Sequence, residues 1–147
     1  AHFGWAKPVH INPANFKNPK RDDILVSLAG PTMNIIMACI FFILIKIMYL
    51  FFTNVLDFST FSILVSIFAN AAYINIILCL FNLLPLPPLD GSHIVFSLAV
   101  KLYSESYFKL ARMSMIILIV LILTRALNVI IFGPASAIYG LLQSIFL

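Results

Sequence analysis

Apolar residues run along this chain in long blocks, not in the short alternations of a soluble fold. Residues 24–45 and 58–84 carry no charged side chain, residues 113–132 carry only Arg125, and residues 135–147 form a shorter apolar end. About 20 apolar residues suffice for a helix to cross the hydrocarbon layer. A single segment satisfies its own backbone there only as a helix. The pattern predicts an all-α, polytopic membrane protein. Transmembrane helices are expected over residues 24–52, 58–84 and 113–132, with a short apolar helix over 134–147. Residues 1–23 are expected as a cytoplasmic or interfacial extended segment, and residues 85–102 as a proline-broken stretch leading into a short helix.

Composition agrees with the pattern. Hydrophobic residues make up 63% of the 147 and charged residues 10%, against roughly a quarter charged in soluble domains. No linker, repeat or low-complexity tract divides the chain, which reads as one membrane domain. The net charge of +4 matters through its placement. Lys7, Lys17, Lys20 and Arg21 precede the first apolar block, and Lys101, Lys109 and Arg112 precede the third. Residues 53–57 have no cation. Basic residues gather on the cytoplasmic side, so residues 1–23 and 101–112 are expected there and the 53–57 turn outside. These basic clusters set topology and do not form a nucleic-acid surface. Lys46, near the outer end of its helix, suits a snorkelling ammonium.

One feature does not fit plain membrane spans. Across residues 58–100 the only formal charge is Asp90, and it follows Pro85, Pro87 and Pro88 within a few residues. The prolines stop a helix and push their predecessors toward extended backbone. A carboxylate at membrane depth is costly and usually faces a cavity, where it serves an ion, a proton or a substrate. Asp90 lies 11 residues before Lys101, roughly 16 Å if helical, which sets it nearer the cytoplasmic side. The plainest role for Asp90 is N-cap of the following helix. A Ser or Thr would serve for that without a charge. A carboxylate also binds hard or borderline cations, zinc among them.

Other residues near this point have weaker readings. Asn82 ends the helix before the break, and its amide suits either a substrate carbonyl or the freed backbone. His93 is three residues beyond Asp90, on the same helical face. An Asp/His pair alone is too few ligands for a tetrahedral site, so a hydrogen bond near the carboxylate or a turn to water is the commoner outcome. Gly30 and Asn34 form a small-xxx-polar face on the first helix that lets another helix approach closely. Cys39 and Cys79 lie inside apolar blocks without CxxC spacing and read as buried thiols.

Together these residues resemble a known family. Asn82-Leu-Leu-Pro85-Leu-Pro87-Pro88-Leu-Asp90-Gly91 is similar to the NxxPxPxLDG motif of the site-2 proteases, zinc metalloproteases that cut within the membrane. Gly30-Pro-Thr-Met-Asn34 resembles their GxxxN motif. Phe3-Gly4-Trp5-Ala6-Lys7-Pro8-Val9, Asn12-Pro13 and Lys20-Arg21-Asp22 are similar to the segment preceding that helix in compact bacterial members. The resemblance implies a multi-pass protein of the bacterial cytoplasmic membrane that hydrolyses membrane-spanning proteins. It implies Asp90 as the third protein ligand of a catalytic Zn²⁺ and Asn82 as a substrate-binding residue. It also implies that residues 3–13 form an extended edge near the active site, able to pair with an unwound substrate.

The family's HExxH motif, two zinc-binding histidines with a glutamate base one turn apart, is absent. The histidines here are His2, His10 and His93, and the lone glutamate is Glu105. The chain is therefore expected to be a C-terminal fragment, inactive alone, whose two remaining zinc ligands and base come from missing N-terminal helices of the same protein. Two alternatives stand beside this. One is a non-catalytic pseudoprotease scaffold. The other is a transporter fragment with a midplane ion site, against which counts the presence of a single proline break and no inverted repeat.

Overall fold

The computed structural model describes residues 18–98 and 105–147 of the chain. The expected extended edge at residues 3–13, His2 and His10 lie outside them, as do residues 99–102. Among the described residues the structure is all-helical: α1 Pro19–Phe51, α2 Phe58–Asn82, α3 Asp90–Leu98, α4 Glu105–Leu123, a π-helical turn Asn128–Phe132, and α5 Gly133–Phe146. Three stretches are long and apolar enough to cross a membrane: Lys20–Phe51, Phe58–Asn82 and Asn128–Phe146.

The start of α1 is set by local chemistry. Asn18 caps it, its side chain accepting from the Arg21 N–H at 3.4 Å while its own N–H donates to Asp22 at 3.1 Å. Pro19 takes the first turn, where no N–H partner is needed. With 33 residues, α1 is about 50 Å long at 1.5 Å per residue, well beyond a roughly 30 Å hydrocarbon core. Its first turns therefore extend past the apolar block that begins at Ile24. Pro31 sits inside the helix, where its missing N–H deprives the Ser27 carbonyl of a partner. In α2, Asp57 is the N-cap, accepting from the Thr60 N–H at 2.9 Å. That helix stops at Asn82, two residues short of the expected end.

The core sits between α1, α2 and α5. Ala38, Phe42 and Ile45 of α1 pack with Ala72 and Ile76 of α2 and Ala135 of α5, all buried. The spacings on α1 and α2 are those of one helix face. Phe42 lies 5.0 Å from Tyr139 and 6.2 Å from Phe146 between ring centroids, and Tyr73 meets Tyr139 edge-on at 5.7 Å. Such aromatic pairs contribute about 0.5–1.5 kcal/mol beyond their burial. The Tyr73 hydroxyl finds the Ser136 hydroxyl at 3.2 Å. Ile36, Ile40, Ile43, Ile63, Ile67 and Ile74 are exposed, as expected of side chains that face lipid.

The C-terminal third differs from expectation. Residues 113–132 do not form one helix. α4 ends at Leu123, and Arg125 turns the backbone into the left-handed region with φ 58°. The Thr124 hydroxyl donates to the Val120 carbonyl at 2.7 Å, closing the end of α4. Gly133-Pro134, expected to separate a span from a short helix, instead lies within a continuous apolar stretch. Pro134 stands in the first turn of α5, where it costs no hydrogen bond, and the π-helical turn runs directly into it. The long apolar helix is therefore Asn128–Phe146, displaced toward the C-terminus.

Candidate metal-ligand site

The site begins where α2 is forced to end. Leu83 caps the helix with its N–H on the Cys79 carbonyl at 3.1 Å, and tight turns carry the chain through the prolines: Leu86 N–H to Leu84 O at 2.8 Å, Leu89 N–H to Leu86 O at 2.9 Å. Pro85 and Pro88 are exposed, whereas Pro87 is fully buried and precedes a cis peptide bond to Pro88. Gly91 packs directly on the end of α2. A Cβ there would lie 2.2 Å from the Leu83 carbonyl oxygen and 2.5 Å from that of Leu84. Only glycine permits this approach, and it brings α3 back against α1 at the level of Gly30.

Asp90 opens α3 on its inner side. A Cβ on Gly30 would lie 3.0 Å from Asp90 Oδ2, so the carboxylate occupies the space that a side chain on α1 would fill. The capping role open to Asp90 is not the one it plays. Asp90 is itself helical, and the first turn is closed by Ser92, whose N–H and hydroxyl both reach the Leu89 carbonyl, at 3.0 and 2.7 Å. Asn34, one turn beyond Gly30 on α1, is half-buried, as is Asn82 at the last position of α2. Beside them a groove of about 280 Å³ runs between α1 and α2, lined by Pro31, Thr32, Ile35, Cys79 and Leu83 among others.

His93 and Ser97 lie on the same face of α3 as Asp90, at i+3 and i+7. They meet a residue that sequence reasoning passed over. Asp23, only 8% exposed near the start of α1, accepts the Ser97 hydroxyl on Oδ2 at 2.7 Å and pairs through Oδ1 with His93 Nδ1 at 3.5 Å. His93 also interacts electrostatically with Asp90. In the folded chain Asp23, Ser27 and Pro31 are buried at successive i+4 steps on α1. In sequence they look like the polar entry to a span. Cys39 and Cys79 are free thiols; Cys79 is buried as expected, whereas Cys39 is only half-buried.

Residues 7–123 match Peptidase family M50. The chain belongs to this family, that of the site-2 proteases. Over 96 residues it is 46% identical to YwhC of Bacillus subtilis (strain 168), a protein described as a candidate zinc metalloprotease. The match covers 65% of this chain and 43% of YwhC, so the chain spans less than half of that relative. No solved structure matches. For this site-2 protease chain, family membership leaves the transporter reading without support. It brings zinc into consideration.

The residues present fit zinc in part. Asp90 offers a carboxylate in a cradle cleared by Gly30, a suitable oxygen ligand. Among the described residues, no group of three or more His, Cys, Asp or Glu side chains is placed to hold a metal. His93 is drawn toward Asp23. Among the described residues, Asp90 thus stands as a single candidate ligand, without a second beside it.

Proposed function

We propose that this chain is the part of an intramembrane zinc metalloprotease that contributes the third protein ligand, Asp90. The whole enzyme would hydrolyse peptide bonds of membrane-spanning proteins in a bacterial cytoplasmic membrane. The observation that carries this reading is the placement of the Asp90 carboxylate, set bare against Gly30 at the point where the proline-broken segment re-enters a helix. The family match over residues 7–123 supports it. Two further ligands and a general base, absent from all 147 residues as an HExxH motif, would come from helices outside this sequence.

Zinc held there would act as a Lewis acid on a water and on the scissile carbonyl. Within this chain, Asp90 would fix one corner of the coordination sphere. Asn82, at the last position of α2, would hold the unwound substrate by its backbone. The break itself supports this use, since irregular backbone at membrane depth is tolerated where it lines a cavity.

The test is Asp90→Asn in the full-length protein, co-expressed with a membrane-spanning substrate. The variant should insert normally, lose zinc and leave the substrate uncut. Cleavage at the wild-type rate would remove Asp90 from the metal site. Absence of cleavage and zinc in the wild type would leave the pseudoprotease scaffold as the reading.

A further inference from the structure

α3 lies antiparallel to the first turns of α1, and two contacts fix how the helices line up. Asp90 faces Gly30. Seven residues further along α3, Ser97 donates to Asp23 at 2.7 Å, and Asp23 is seven residues before Gly30 on α1. Equal steps on both helices, about 10.5 Å each, mean that the contacts define one register. A slip of one residue would move Asp90 by about 1.5 Å and turn it by roughly 100° away from the Gly30 cradle.

The Asp90–Gly30 contact cannot hold that register, because it is a close approach with no bond across it. The Asp23 contact can. Its carboxylate is buried, its two oxygens are used by different α3 side chains, and both of these, His93 and Ser97, lie on the face that carries Asp90. The Ser97 hydroxyl on the Asp23 carboxylate, at 2.7 Å, is a short charge-assisted hydrogen bond of the strong and directional kind. Burying the carboxylate is costly unless it is paired, so any register that separates Asp23 from Ser97 and His93 is disfavoured.

We propose that Asp23 is a positioning residue for the metal-binding carboxylate, locking α3 in the register that presents Asp90 to the metal through Ser97 and His93. The proposal rests on the reading of Asp90 as a zinc ligand. Groups that orient a ligand typically change metal affinity roughly 10- to 100-fold when removed.

The experiment measures zinc dissociation constants by chelator competition, and the visible spectrum of the Co²⁺-substituted protein, on the full-length protein in detergent. The variants are Asp23→Ala, Asp23→Asn, Ser97→Ala and Asp90→Asn. Asp23→Ala and Ser97→Ala should each weaken zinc binding about tenfold or more and alter the Co²⁺ spectrum, at temperatures where both are folded. Their kcat should fall with KM little changed. Asp23→Asn should recover part of the affinity, because its amide oxygen still accepts the Ser97 hydroxyl. If Asp23→Ala does not fold, Ser97→Ala decides, since it removes only a hydroxyl. Wild-type zinc affinity and Co²⁺ spectrum in the folded variants would overturn the proposal and leave Asp23 a structural contact. Asp90→Asn separates the two readings. Zinc lost in Asp90→Asn but kept in Ser97→Ala and Asp23→Ala overturns positioning alone; zinc kept in Asp90→Asn overturns the ligand assignment and the positioning proposal with it.

Discussion

Gly30 on α1 and Asp90 on α3 are held so close that a single methyl group on Gly30 would come within 3.0 Å of a carboxylate oxygen. The consequence for Gly30→Ala is a split result. Replacing glycine by alanine inside a helix stabilises it by roughly 0.5–1 kcal/mol, so thermal stability should hold or rise. The carboxylate, however, must retreat by a few tenths of an ångström. Zinc retention and proteolysis in the full-length protein should fall, and Gly30→Val should fall further. Thermal unfolding and metal content measured on the same samples check this, and parallel changes in both would contradict it.

Gly91 carries the opposite expectation. Its would-be Cβ meets backbone carbonyls at 2.2 and 2.5 Å, which cannot swing aside as a side chain can. Gly91→Ala should destabilise by more than the roughly 1–3 kcal/mol of ordinary overpacking, because α3 must lift from the end of α2. Gly140, in α5, has nothing within 4 Å of a Cβ. Gly140→Ala is the matched control and should be neutral or slightly stabilising. Unfolding of the three proteins in one detergent compares them directly.

Asp57 caps α2 from the connection before it, and the Thr60 N–H, followed by the Thr60 side chain, holds its carboxyl below the usual carboxylate range. A carboxyl depressed in the folded state stabilises above its unfolded pKa of about 3.9. That contribution is lost as pH falls through the lower, folded value. Wild-type protein should therefore lose stability below about pH 4 more steeply than Asp57→Asn, which keeps a capping oxygen without the charge. Melting curves of the two proteins between neutral and acid pH show whether the steeper slope belongs to Asp57.

The all-α class was legible because charge-free blocks long enough to span have few other solutions in a membrane. The proline run announced the end of α2, and the isolated charge singled out Asp90. Two matters were not legible. Arg125 was read as a charge inside a span, although its real effect is a left-handed backbone turn that ends α4 and moves the long apolar helix downstream. Nothing in a hydropathy pattern distinguishes a tolerated arginine from one that breaks a helix. Asp23 falls at the end of residues 1–23, the segment expected to be extended and cytoplasmic or interfacial. Its burial depends on α3 returning along α1, and that return depends on the close packing at Gly91, a tertiary contact that no local pattern encodes.

α1 divides its labour along its length. Before Pro31, its inward side carries Asp23 and Ser27 and meets the helix of the candidate ligand; after it, Ala38, Phe42 and Ile45 pack with α2 and α5. Adaptation can therefore act on the two halves separately. Substitutions after Pro31 can tune the protein to bilayer thickness and lipid composition, while the residues before it keep the geometry of the α3 contact. Descendants of such a chain could diverge widely in their apolar blocks and still share the few residues around the break.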